Sequence, residues 1–198
     1  MDRIFVIGRD PVPEKVKLEA SESLRWTFVA LPGCSADLDV EFELSGPGAS
    51  LDLAGLYLCP ADEILKISVT VRHTGGGCVS RQLFKGIVGG SAKASFDGLI
   101  YVAEGAQKTK AFQESHSILL SAQAVAESRP QLEIYADDVE CSHGATSGFL
   151  DVDQLFYMRS RGIPEAEAKR LQIISFLSEV LERLPEELAD DIISQCQA

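Results

Sequence analysis

No apolar stretch in the sequence approaches the roughly 18–20 residues that a bilayer-spanning helix needs, which excludes a transmembrane helix. The opening MDRIFVIGRD has too short an apolar run for a secretory leader and no small-residue cleavage site, so a cytoplasmic location is expected. Cysteines are few: the five, at positions 34, 59, 78, 141 and 196, are odd in number and widely scattered, and none forms a Cys-x-x-Cys pair. A disulfide framework and a zinc-finger site are thereby excluded. Positive charge is scarce, with 18 Lys and Arg against 30 Asp and Glu and a formal charge of −12. That balance opposes general binding to nucleic acid or anionic membranes, both of which need a basic surface. There is no Gly-x-x-x-x-Gly-Lys-Ser/Thr phosphate loop: the glycines at 75–77 and around 86–90 fit no such pattern and read as turns.

What is present is a period of two. Leu38, Val40, Phe42 and Leu44 alternate with Asp37, Asp39, Glu41 and Glu43, and Ile67, Val69 and Val71 alternate with Lys66, Ser68, Thr70 and Arg72. Leu132 and Ile134 alternate with Glu133 and Tyr135. Each is the signature of a half-buried strand. Turn signals separate the segments, at Pro32-Gly33, Ser45-Gly46-Pro47-Gly48, Gly75 to Gly77, Gly89-Gly90 and Asp97-Gly98. Many short strands at such spacing fit either an antiparallel sandwich or a parallel β-helix of stacked coils, and no clean internal repeat decides between them.

After Gly148 the period becomes helical. Asp151 can cap a helix, with Gln154 completing a capping box and Leu150 stapling to Leu155, and Gly162 suits its stop. Pro164 opens a second helix that runs to about Leu184 and ends before Pro185. Its apolar band is wide: Leu171, Ile174, Leu177, Leu181 and Leu184, with Ile173, Phe176 and Val180 beside them. One docking face needs less, so the band points to a contact within the chain and another outside it. Leu188, Ile192 and Cys196 mark a third, short helix. The expected division is a β-region over residues 1–148 and a helical region over 149–198.

Cys141 and His143 stand two residues apart, where the strand pattern gives way to the helical one. In extended chain both point to the same side, so one small surface offers a thiol and an imidazole, good ligands for iron or zinc. An imidazole beside a thiol also favours the thiolate. The plain alternative is a buried Cys and a hydrogen-bonded His at a strand end. His73 continues the apolar side of its strand and reads as a core residue, while His116 lies in a polar stretch. Asp137, Asp138 and Glu140 read as a solvated turn. No Ser/His/Asp or Cys/His/Asn set stands out.

The stretches PQLEIYADDVECSHGAT (residues 130–146) and DQLFYMRSRG (153–162) closely resemble the SufD family of iron–sulfur cluster assembly proteins. SRQLFKG (80–86), FDGLIYV (96–102), AQKTKAFQ (106–113) and LLS (119–121) extend the likeness, which covers roughly residues 65–184. The Cys-Ser-His-Gly-Ala stretch at 141–145 favours SufD over its paralogue SufB. Members of the family carry a longer N-terminal region, helices included, that this sequence lacks.

The resemblance implies a mainly β fold, a right-handed parallel β-helix followed by a small α-helical C-terminal domain. It implies a non-enzymatic scaffold subunit of the SUF complex, working with a SufB-like chain and a SufC-like ABC ATPase. Cys141 and His143 then belong to a transient iron–sulfur cluster site at a subunit interface, with no tightly bound cofactor. Leu155, Phe156, Tyr157, Arg161, Phe176 and Val180 are expected to meet the ATPase. Leu132, Ile134, Ala136 and Val139 are expected on an exposed edge strand that pairs with the second subunit, or with a copy of itself as a homodimer. A solenoid that keeps the fold and the ATPase docking but has no cluster role is the alternative.

Overall fold

Alternation makes strands, but the fold depends on which strand each one pairs with. The computed structural model describes residues 1–196. Its strands are β1 (Asp2–Val6), β2 (Lys15–Leu18), β3 (Ser23–Ala30), β4 (Ala36–Leu44), β5 (Ser50–Cys59), β6 (Ile64–His73), β7 (Val79–Val88), β8 (Lys93–Val102), β9 (Thr109–Leu119), β10 (Val125–Ile134) and β11 (Val139–Phe149). Three helices follow, α1 (Val152–Ser160), α2 (Glu165–Leu181) and α3 (Glu186–Gln195). Odd-numbered strands form one six-stranded sheet and even-numbered strands one five-stranded sheet, each strand pairing in parallel with the strand two further on. The chain is therefore a parallel β-solenoid of about five turns, not a sandwich. One lateral row of the larger sheet holds Arg25, Asp52, Arg81, Phe112 and Ser142, a spacing that drifts between about 27 and 31 residues. That drift hides the repeat from the sequence.

The inward side chains of successive coils stack into one apolar lumen. Phe28, Phe42, Leu44, Leu51, Leu53, Val69, Val71, Phe84 and Phe96 are all essentially inaccessible. Each such side chain contributes about 1.5–3 kcal/mol on burial. Large and small residues alternate along a row: Phe28, Gly55, Phe84 and Ser115 occupy neighbouring positions of β3, β5, β7 and β9. The ring of Phe84 covers Gly55 so closely that a Cβ there would fall 2.2 Å from it.

A second apolar cluster lies outside the lumen. Val29, Leu31, Ala54, Leu56, Leu58 and Ile87 line the outer face of the six-stranded sheet, and Ile173, Leu177, Val180, Leu181 and Ile192 from α2 and α3 pack on them. Two ion pairs fix the same contact. Arg183 reaches Asp52 at 2.9 Å, and Lys85 reaches Glu179 at 3.0 Å with its ammonium 5.4 Å from the Phe176 ring centre. The helices thus share a core with the solenoid.

Local signals for the helices hold. The Asp151 carboxylate accepts from the backbone N–H groups of Asp153 and Gln154. The box closes differently from the usual form: Gln154 donates to the Asp151 carboxylate at 3.1 Å, because the Asp151 N–H is taken by Gln172 of α2. Gly162 has φ +87°, and the N–H groups of Gly162 and Ile163 return to Arg159 and Met158, the closing pattern of a helix C-terminus. Pro164 and Pro185 immediately precede α2 and α3.

One expectation is corrected. Residues 132–141 are not a single strand. β10 ends at Ile134, the chain turns through residues 135–138, and β11 begins at Val139 in the other sheet. The alternation runs on across this corner, but the Tyr135 N–H pairs with Val102 while the Asp138 N–H is taken by the Gln107 side chain. Ala136 therefore sits at the corner, 7% exposed, and not on an edge strand.

Adding a methyl at Gly55 overpacks a closed row, so Gly55→Ala should lower stability by about 1–3 kcal/mol in urea unfolding. Gly144→Ala, where a Cβ meets nothing within 4 Å, should change it by less than about 0.5 kcal/mol. Equal losses at both positions would contradict this packing.

Candidate functional site at the open terminal coil

The last coil has a neighbour on one side only. β10 pairs with β8 and β11 with β9, and no strand among the described residues lies beyond either. Their far edges carry unpaired backbone N–H and C=O groups. In register, Cys141 stands beside Ala111 and His143 beside Gln113. Ala111 and Gln113 face the lumen and are buried, so Cys141 and His143 lie on the lumen side of the uncovered coil.

Their surroundings differ. Cys141 is half-buried against a small cluster of Ile100, Val102, Ala106, Ala111 and Ala136, with Leu132 and Val139 packed on it. Its thiol pKa is raised, not lowered: burial outweighs the backbone hydrogen bond at Ala111, and the Glu140 charge adds to the rise. The thiolate expected from a neighbouring imidazole is not favoured, because a partly dry apolar cluster dominates. His143 is exposed. Beyond it the coil opens into a cavity of about 320 Å³ lined by Ser117, Ala126, Ser128, Ala145 and Ser147 among others. Two soft ligands cannot close a tetrahedral site, and among the described residues no three His, Cys, Asp or Glu side chains converge.

The other two histidines are held differently. His73 is fully buried in the lumen, its Nε2 2.9 Å from Ser80 Oγ and its Nδ1 without a partner. Burial lowers its pKa to about 4. His116 lies half-buried on the outer face, bridging Thr146 of β11 and Glu114.

The residues expected to meet an ATPase divide. Phe156 and Tyr157 on α1 are 73% and 60% exposed, and Phe149 and Val152 beside them are comparably bare. Arg161 lies over the Tyr157 ring, and Leu155 is half-buried. Phe176 is half-buried between Lys85 and the sheet-facing cluster. Val180 is completely buried against the sheet, so it offers a partner nothing; that expectation is corrected. Most of the apolar band of α2 packs on its own chain, with Ile173, Leu177, Val180 and Leu181 buried, while Leu171 stays 39% exposed. The signal that could have shown this is the unbroken run Leu51 to Cys59 in β5, apolar on both faces but for Asp52 and Gly55, which demands a cover on the outer side.

Sequence reasoning also missed a cleft of about 610 Å³ between the end of α2 and the outer face of the sheet. Arg25, Asp52, Arg81, Phe112 and Arg183 line it, on the face opposite Cys141 and His143.

Comparison with known proteins adds to this geometry. A family model described as "SUF system FeS cluster assembly, SufBD core domain" matches residues 12–176. The iron–sulfur cluster assembly protein SufD of Escherichia coli is 41% identical over 145 residues, 73% of this chain and 34% of that protein. Protein ABCI7, chloroplastic, of Arabidopsis thaliana is 37% identical over 182 residues, 84% of this chain and 38% of that protein. SufD of Bacillus subtilis is 35% identical over 142 residues, 72% and 32% respectively. The chain spans about a third of the length of these curated relatives.

The buried His73 makes stability depend on pH. The unfolded chain protonates this imidazole near pH 6.5, the folded chain only near 4, so the unfolded state binds more protons between the two. Stability should be unaffected by this group above pH 6.5 and fall as pH drops toward 4, by about 3 kcal/mol in all. Denaturation midpoints of His73→Gln against wild type should converge in that window. Parallel pH profiles would show that His73 is solvated.

Proposed function

The chain belongs to the SufBD family of the SUF iron–sulfur cluster assembly system, and from that premise we propose that it is a non-enzymatic scaffold subunit, SufD-like, of a cluster-assembly complex. The observation that carries the reading is the placement of Cys141 and His143 side by side on the lumen face of the terminal coil, beyond which no strand lies among the described residues. A second subunit, SufB-like, pairs along the free edges of β10 and β11 and supplies the remaining ligands. In its absence two copies of this chain pair there as an isologous dimer.

The cluster is cargo, not a resident cofactor. Cys141 contributes a thiol that is protonated at neutral pH because its surroundings are partly dry, so ligation must release that proton. This disfavours premature metal capture by the isolated chain. His143 contributes an imidazole nitrogen. The bare apolar patch formed by Phe149 at the end of β11 with Val152, Phe156 and Tyr157 of α1 is the docking surface for a SufC-like ABC ATPase, which brings the nucleotide chemistry this chain lacks a loop for.

Two variants separate these roles. Cys141→Ala with His143→Ala should leave the fold and ATPase binding intact while cluster yield in the complex, reconstituted with iron and sulfide, falls to background. Full yield would leave a solenoid interaction protein with no direct cluster role. Phe156→Asp should weaken ATPase binding by about 2 kcal/mol, roughly 30-fold, without moving the melting temperature. Unchanged affinity would place the docking surface elsewhere.

A further inference from the structure

A row of the lumen carries polar side chains where its neighbours are apolar. Leu53, Gln82, Gln113 and His143 occupy the same position of β5, β7, β9 and β11. Gln82 and Gln113 are almost wholly buried, 3% and 1% exposed. Gln113 Nε2 donates to Gln82 Oε1 at 3.1 Å, while Gln113 Oε1 is buried with no partner. The opposite wall makes room for this amide: a Cβ at Gly98 would lie within 2.5 Å of three of its atoms. A glycine is thus spent on seating a glutamine whose hydrogen bonding is half complete.

The direction of the missing bond follows from amide geometry. The nitrogen of Gln113 points back along the row to Gln82, and the oxygen lies on the other side of the amide carbon. With the nitrogen engaged on the Gln82 side, the oxygen is the amide atom left over, and the next residue in the row is His143. Adjacent strands are about 4.8 Å apart, a distance that side chains of this length bridge easily. In the structure His143 is exposed and the two are not bonded. Rotation of the imidazole toward the lumen pairs them and relieves a buried, unsatisfied acceptor.

We propose that Gln113 is a positioning residue for His143: its side-chain carbonyl accepts one ring N–H of the imidazole and so commits the other ring nitrogen to ligation. Histidine ligands depend on such a partner, because the hydrogen bond on one nitrogen fixes the tautomer and aims the other. The Gln82–Gln113 ladder anchors the acceptor from the coil beneath, so the open coil presents an imidazole aligned in advance. This inference rests on the reading of His143 as a cluster ligand, but its structural content can be measured without a cluster.

The test is the tautomer of His143 in the full chain labelled with ¹⁵N-histidine, read at a fixed pH from the ring nitrogen shifts. Wild type should show one tautomer with a ring proton that exchanges slowly. Gln113→Met, close in shape but unable to accept, should give mixed tautomers and fast exchange at His143, with the His73 and His116 signals unchanged as evidence of the fold. Gln113→Glu, which keeps an acceptor, should restore the single tautomer. In the assembled complex Gln113→Met should lower iron affinity about 10-fold. Mixed tautomers in wild type, or an unaltered His143 in a folded Gln113→Met variant, would overturn the proposal, and the wild-type spectrum decides even if that variant does not fold. A fixed tautomer together with full cluster yield in His143→Ala would instead sink the ligand reading and leave the hydrogen bond standing.

Discussion

Every strand of a parallel solenoid needs a neighbour on each side, because each backbone carries donors and acceptors that no side chain of its own can satisfy. Within the stack the next coil supplies them. At the last coil, β10 and β11 have only β8 and β9 among the described residues, and one edge of each is left open. The rest of the molecule is arranged around that unfinished end. The lumen is aliphatic and aromatic through its first coils, then turns polar and small toward the end. Gln113, Ser115 and Ser117 of β9 give way to His143, Ala145 and Ser147 of β11. The interior thus changes from a dry apolar core into a small, polar and partly exposed face.

The helices close the side of the stack. By itself the outer face of the six-stranded sheet would expose Val29, Leu56, Leu58 and Ile87 as a contiguous apolar patch. α2 and α3 cover it, and Asp52 gathers Arg25 and Arg183 to hold the end of α2 in register. What remains bare is α1, which has no buried residue and sits between β11 and α2 with its start clamped by both amide atoms of Gln172. Its exposure is a consequence of where the chain leaves the last coil, so the aromatic patch and the Cys–His pair are joined by a short, well-held connection.

Much of this was legible because it is local. Asp151, Gly162, Pro164 and Pro185 mark helix ends through hydrogen bonds and dihedral limits within a few residues, and the alternation in β4, β6 and β10 reads directly as strand. What was illegible depends on register between residues some thirty positions apart. Nothing near Gln82 or Gln113 in the sequence says that they stack, and the drift in coil length conceals it. The burial of Val180 needed the outer face of β5 as a partner, and the raised pKa of Cys141 needed the apolar cluster at the corner. Strand spacing picked out the pair at 141 and 143 and the family likeness gave it a role; neither could say that one member is half-dry and the other bare.

The central claim is that the open terminal coil holds cargo through Cys141. The most direct measurement is the alkylation rate of each cysteine, by mass spectrometry, in the assembled complex before and after iron and sulfide are loaded. Cys34, partly exposed and on the far part of the solenoid, is the internal reference. If the account holds, loading slows modification of Cys141 sharply and leaves Cys34 unchanged. Equal rates at Cys141 with and without a full complement of cluster would contradict it.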